Sequence, residues 1–412
     1  MRRRIIATLM GTAALGGLGQ LVGLTVGSLI VQDMLHGRKW IGTANAAASL
    51  GTALGALTLA RYVQRSGRRI GLALGYGIGA LGGVVAVVAA SRSSYPLFML
   101  AMVLFGVGNT SNQQSRFAAA DIATAERRAR LVGLVVWAST IGVVLGPQLA
   151  APAGKRFSWL GHNQWGGAFA LSALAFGIAA VVLLVLLRPD PLDIARSMAP
   201  PRTAAENAEP VDVWALLSHP SVRLPVITLT INQVVMVAIM SVTNVHLRDH
   251  GYSVAGVGTV LSGHVFGMFA PSPITGWLCD RVGRIPVIVG SCFLMVTGAL
   301  LAASANPLHH GAMITALFFL GLGWNGNFVA GSALVTEAVT AHERPKLQGV
   351  TDMITYIASA GAAISAGLLV GTTGYPRMAL IGGAIALLAG VLVIVFRRVA
   401  AIPITIPIAA PA

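Results

Sequence analysis

Gly276-Trp-Leu-Cys-Asp280-Arg281-Val-Gly283-Arg284 is a short polar interruption between two long apolar runs in the second half of the chain. A related stretch lies upstream, Ala60-Arg-Tyr-Val-Gln64-Arg65-Ser-Gly67-Arg68-Arg69, in which Gly67 and Arg68 precede Gly283 and Arg284 by one and the same offset. That offset also carries Arg128 onto Arg344, Arg130 onto Lys346 and Gly133 onto Gly349. A single shift that aligns several separated landmarks marks an internal duplication, so the chain reads as two related halves of about 200 residues each. The expected units are a first bundle over 1–188, a linker over 189–220, a second bundle over 221–398 and a tail over 399–412.

Composition sets the class. With 412 residues, 55% hydrophobic and 10% charged, the chain has too few charges to coat a soluble domain of this size. Apolar runs of about 20 residues recur, each long enough to cross ~30 Å of hydrocarbon as a helix. Twelve are expected, at roughly 5–31, 41–60, 70–90, 96–120, 131–150, 164–187, 224–245, 252–278, 286–304, 311–335, 349–370 and 376–396. The 49 glycines suit helices that approach closely in lipid. The reading is an all-α polytopic membrane protein with twelve spans in two pseudo-symmetric six-helix bundles.

The net charge of +15 is distributed by topology. With a cytosolic N-terminus, 21 of the 28 Lys and Arg fall on the cytosolic side, leaving 38, 39, 92, 155, 156, 248 and 377 outside. That bias follows the positive-inside rule and makes nucleic acid an unneeded explanation. Arg2, Arg3 and Arg4 before an apolar stretch imitate a secretory signal, but the run is too long, so an uncleaved first helix is expected. Cys279 and Cys292 form no disulfide framework or metal-ligand spacing, and no cofactor or metal is expected.

Polar residues inside the runs carry the functional reading. The first run holds Gln20 and ends at Asp33. The third contains Gly77-Ile-Gly79-Ala-Leu-Gly82, which lacks the strand and acidic residue of a dinucleotide site and reads as helix packing. The fourth reads Gly106-Val-Gly108-Asn109-Thr-Ser-Asn112-Gln113-Gln114-Ser-Arg116, with Asp121 at its end. Its counterpart in the tenth is Gly321-Leu-Gly323-Trp324-Asn325-Gly-Asn327, ending at Glu337, and the seventh adds Asn232 and Gln233. Amides in hydrocarbon are costly unless they face a cavity or each other. Their recurrence on matching helices of both halves points to a shared central cavity, and interhelical hydrogen bonding is the plainer alternative.

In the fifth run, Ser139, Gly142, Gly146 and Ala150 are spaced three, four and four apart, so one helix face is nearly free of side chains. Pro147 removes a backbone donor and permits a bend. We expect Gly142 and Gly146 to face a helix of the other half, the eighth. After Arg188-Pro-Asp-Pro191 the chain turns polar to about residue 220, which reads as a cytosolic linker.

Over essentially its whole length the sequence resembles a transporter of the major facilitator superfamily. Gly276, Asp280, Arg281, Gly283 and Arg284 match the signature loop of that superfamily between helices 8 and 9, and residues 60–69 match the loop between helices 2 and 3. Asp121-Ile-Ala-Thr-Ala-Glu126-Arg-Arg128-Ala-Arg130 resembles the junction of helices 4 and 5. Gly133, Gly142, Gly146 and Pro147 resemble the antiporter motif of twelve-helix drug:proton exporters. Five positions depart from the pattern: Gln64 replaces an acidic residue, Ala60 a glycine, Ala150-Ala151 a closing Gly-Gly, and Met102 an arginine.

The loop chemistry is readable on its own. Gly283 permits a tight turn, and Asp280 at a helix end can face the positive N-terminus of a helix in the other half. Arg281 and Arg284 can face carbonyl ends or lipid phosphates. Such a latch biases two states of a rocking transporter. The expected function is alternating-access transport, with proton-coupled efflux of small apolar or weakly charged compounds as the first reading and an uptake symporter or facilitator as the second. Motifs of membrane enzymes are absent, so no enzymatic activity is expected. Substrate, protons and the lipid bilayer are the expected partners of a monomer in the plasma or inner membrane, with both termini cytosolic. Asp352 and Asp33 are candidate proton carriers. Asp352 is also expected near Gln64, supplying the charge that the first loop lacks and leaving Asp121 to pair with Arg68 or Arg116.

Overall fold

The computed structural model describes residues 2–35, 43–157, 164–198, 211–306 and 309–400, and these are helical with short connections. Residues 199–210 of the expected linker and 401–412 of the expected tail lie outside the described residues. The helices are α1 (Arg2–Leu35), α2 (Thr43–Ser91), α3 (Tyr95–Asp121), α4 (Arg128–Arg156), α5 (Gln164–Leu186), α6 (Pro191–Ser197) and α7 (Val213–Ser218). They continue with α8 (Pro220–Asp249), α9 (Val254–Phe269), α10 (Ser272–Val282), α11 (Arg284–Ser304), α12 (His310–Glu337) and α13 (Arg344–Ala400). Among the described residues, eight stretches are long and apolar enough to cross a membrane.

The expected runs at 41–60 and 70–90 lie on either side of a kink in α2 at Gly67, where φ is 83°. The runs at 349–370 and 376–396 flank a kink in α13 at Gly374. The expected run at 252–278 is divided into α9 and α10 around Ala270 and Pro271. Gly283, the counterpart of Gly67 in the second half, has φ 97° and joins α10 to α11. Both glycines turn the chain through a left-handed conformation that a Cβ would oppose. The two signature loops therefore share one geometry, as the duplication predicts.

Two apolar clusters fill the molecule. One joins residues of α1 to α5, including Leu9, Tyr76, Phe105, Phe169 and Phe176. The other joins residues of α8 to α13, and Ala120, Ala129, Val132 and Val136 of the first half contribute to it. The halves meet where α2 packs on α13 and α4 packs on α10. At the first contact, a Cβ on Gly349 would run into Ala60 and the Ala56 carbonyl. At the second, a Cβ on Gly133 would run into the Ser272 carbonyl. The offset between the halves takes Gly133 to Gly349 and Ala56 to Ser272, so one helix crossing has been built twice.

Candidate functional site

At the end of the bundle that carries the two loops, charged side chains from both halves form one layer. Arg68 donates through Nε to Asp121 at 2.8 Å, with both side chains fully buried. The equivalent pair, Arg284 Nη2 and Glu337, is also 2.8 Å apart. Arg344 reaches Asp121 across the halves at 3.4 Å, and Arg128 reaches Glu337 at 3.4 Å. Asp280 accepts from the backbone N–H of Ala129 at 3.2 Å and of Arg130 at 2.9 Å, which is the expected docking of a carboxylate on a helix N-terminus. Burial holds the Asp280 carboxyl above the usual range, and these N–H groups and Arg284 oppose that shift. Arg284 also donates to the Ala125 and Cys279 carbonyls, whereas Arg281 lies over Trp277 at 5.2 Å. A Cβ on Gly276 would run into the Ala129 carbonyl, and Arg65 is exposed.

The first loop is held differently. Asp190, just before α6, accepts from the N–H groups of Arg68 at 3.0 Å and Arg69 at 2.8 Å. The Gln64 carbonyl accepts from Arg196 at 2.7 Å. Two expectations are corrected here. The expected linker is not merely polar chain, since Pro191, Leu192 and Ala195 are buried and α6 docks against α2 and α3. Among the described residues, Gln64 has no side-chain hydrogen bond to Asp352; the Asp352 carboxylate instead accepts from Arg116 Nη2 at 2.7 Å. A buried guanidinium is the stronger partner for a buried carboxylate. Asp121 pairs with Arg68, one of the two alternatives expected.

Above this layer, between the halves, lies a cavity of about 270 Å³. Gln20, Asn109, Asn112, Gln113, Gln233 and Trp324 line it. Asn232, Asn325 and Asn327 do not, and the expectation that they would is corrected. Asn325 donates to the Met268 carbonyl at 2.7 Å and to Ser272 at 2.6 Å, bracing the break between α9 and α10. Asn232 donates to the Trp324 carbonyl at 3.2 Å, and Asn327 lies 4.0 Å from the Cys292 sulfur. Asn232 and Gln233 are adjacent, so a helix turns them about 100° apart and only one can face inward.

Gly142 and Gly146 are also corrected. A Cβ on Gly142 would meet the Ala14 carbonyl and Leu18 of α1, and one on Gly146 would lie 3.2 Å from the Leu18 carbonyl. Both pack inside the first half; within the motif it is Gly133, near the start of α4, that meets the other half. A smooth face shows that a helix approaches closely but not which helix. Pro147 lies within α4, and its side chain is outside the described residues. Asp33 is exposed near the end of α1.

Arg116, Tyr356, Gln348 and Ser332 were not expected as a group. Arg116 Nε donates to Ser332 at 2.9 Å, Nη1 to the Gln113 carbonyl, and its Cζ lies 4.2 Å from each of the Phe117 and Phe328 rings. Gln348 accepts from Arg68, and Tyr356 accepts from Gln113 at 2.7 Å. Gln348, Asp352 and Tyr356 are spaced four apart, so one polar stripe on α13 was readable as a helix face.

A sequence model described as Major Facilitator Superfamily matches residues 5–270 and 226–411. The "Uncharacterized MFS-type transporter YdeG" of Bacillus subtilis (strain 168) is 36% identical over 379 residues, covering 90% of this chain and 87% of that one. The "Riboflavin transporter RfnT" of Brucella anthropi is 29% identical over 373 residues, covering 90% of each. Among solved structures, the human organic anion transporter MFSD10 superposes with a TM-score of 0.77 at 15% identity, covering 95% of this chain and 99% of that one.

Proposed function

The chain belongs to the major facilitator superfamily, and on that premise we propose that it is a secondary active transporter working by alternating access. It is a multi-pass membrane protein of a transporter family. In this reading the bundles are 1–188 and 221–398, the loop end and both termini are cytosolic, and the monomer sits in the plasma membrane. One observation carries the reading: a cavity between the halves, lined by amide and apolar side chains, is closed at the loop end by ion pairs that cross from one half to the other. Such contacts can break without unfolding either half, which alternating access requires.

We assign proton-coupled efflux of small apolar or weakly charged compounds as the transport mode. The resemblance of Gly133, Gly142, Gly146 and Pro147 to the antiporter motif supports it. Asp352 is its proton carrier: it is buried and bonded to Arg116, which lines the cavity, whereas Asp33 is exposed. Uptake is the second reading, favoured by the absence of any carboxylate among the described cavity-lining residues. Proteoliposomes and inverted vesicles, with and without an imposed pH gradient, test both. Flux driven against the proton gradient supports efflux, and flux of solute and proton in the same direction establishes uptake. Gradient-independent equilibration removes proton coupling.

A further inference from the structure

The floor of the cavity holds one cation more than its carboxylates balance. Among the described lining residues Arg116 alone is charged, and none is a carboxylate. Beneath it, three arginines, Arg68, Arg116 and Arg344, share two carboxylates, Asp121 and Asp352. The neighbouring network at the loop end, Arg128 and Arg284 with Asp280 and Glu337, is balanced. One positive charge is therefore unmatched below the cavity, and away from bulk water it acts strongly on whatever enters.

Arg116 also has donors to spare. A guanidinium carries five N–H groups. Nε gives its one to Ser332, Nη2 gives one to Asp352 and Nη1 gives one to the Gln113 carbonyl, so each terminal nitrogen keeps one. A carboxylate is the planar acceptor that such a cation matches best. The second half adds a neutral donor: the indole Nε1 of Trp324 only donates, so Gln233 turns its oxygen to it at 2.8 Å and its NH2 remains on the lining. Flat aromatic surface adjoins the cation. The Arg116 Cζ lies 4.2 Å from the Phe328 ring, Trp324 stacks on Phe328 at 4.4 Å and 17°, and Phe269 meets Trp324 edge-on at 5.8 Å. All three rings line the cavity with Arg116.

We infer that the substrate is an aromatic monocarboxylate, a class that rests on the transporter reading of this same cavity. Its carboxylate takes the free N–H groups of Arg116 and supplies the missing negative charge, while its ring lies against the surface of Phe328 and Trp324. A neutral amide of the same shape keeps the ring contact but loses the charge-assisted bonds. A cation meets an unmatched positive charge and no carboxylate. A saturated acid keeps the ion pair but loses the flat stacking contact.

The test binds radiolabelled naphthalene-2-carboxylate to the purified full chain in detergent. Unlabelled naphthalene-2-carboxylate, naphthalene-2-carboxamide, naphthalen-2-ylmethylammonium and decahydronaphthalene-2-carboxylate then compete for it. The aromatic acid is expected to compete about tenfold more strongly than each of the other three. Arg116→Lys, which keeps the charge, should retain the preference for the acid over the amide. Arg116→Gln combined with Asp352→Asn removes both charges without stranding either, and should lose that preference. Thermal midpoints establish that the variants fold, and if they do not, the ranking of probes on the parent chain decides. No binding of the aromatic acid, competition by any other probe as strong as its own, or a folded double variant that keeps the preference overturns this ligand class and leaves the transporter reading standing. Binding of the acid without flux in proteoliposomes overturns the transporter reading alone.

Discussion

Arg344 and Asp121 belong to different halves and lie 3.4 Å apart. Replacing each by its counterpart in the opposite half gives Arg128 and Glu337, also 3.4 Å apart. The side chains differ in burial: Asp121 is fully buried and Glu337 is 23% exposed. Asp121→Asn leaves Arg68 buried beside a neutral partner and should cost about 3–5 kcal/mol, whereas Glu337→Gln should cost about 1 kcal/mol or less. Thermal unfolding of the two variants checks this, and equal losses would refute the assignment of the buried arm to Asp121.

Arg116 and Asp352 form the buried pair at the base of the cavity. Removing either partner strands a charge, so each single alanine variant should lose about 3–5 kcal/mol. The double variant should lose at least about 2 kcal/mol less than the two singles together. Additive losses in a double-mutant cycle would show that the two charges do not depend on each other.

If Asp352 carries the proton, Asp352→Asn should abolish the pH dependence of flux while solute binding persists. Flux that still follows an imposed pH gradient in this variant would place the proton elsewhere.

The two sets of close glycines should fail differently. Gly133→Ala and Gly349→Ala push α4 from α10 and α13 from α2, so they should open the loop end with modest change in melting temperature. Gly142→Ala pushes α4 from α1 within one half and should lower the melting temperature directly. Distances between spin labels on α4 and α10, and on α2 and α13, measured beside thermal midpoints, separate these outcomes. A Gly133→Ala protein whose label distances match the parent would contradict the crossing described here.

Asp280 gives a pH effect with a definite sign. Burial in the closed loop end raises its carboxyl above the usual range, so the closed form binds the proton more tightly than a form in which Asp280 is solvated. Lowering the pH through that range should therefore shift the population toward closure, and Asp280→Asn should remove this component. The group is partly exposed, so the shift should be small. Label distances that widen on acidification would reverse the sign.

The fold was legible because hydrophobic length, charge bias and a constant offset are local properties of the chain. The partners of individual residues were less so. Asn109 and Asn325 occupy equivalent positions, yet only Asn109 lines the cavity, because the break at Ala270 and Pro271 gives Asn325 a carbonyl to satisfy within its own half. Gln64 is intelligible only beside position 345. Asp280 is held by the N–H groups of Ala129 and Arg130, and the equivalents of those residues are Pro345 and Lys346. Proline has no N–H to give, so an acid at 64 would find half the donors that Asp280 finds. Asp190 could not be anticipated, since its role depends on α6 folding back over the loop.

Arg116 and Ser332 are themselves counterparts under the offset between the halves, so a residue here touches its own duplicate. That contact falls where the approximate two-fold axis passes between the halves. In a dimer of identical subunits, a residue at such a place meets a copy of itself. Two arginines would then bring like charges together, and two serines would leave Asp352 without its cation. Joining both halves in one gene removes that constraint, because the two sides of the axis can mutate independently. An arginine facing a serine is an arrangement open to the fused chain and closed to any symmetric pair of half-length ancestors.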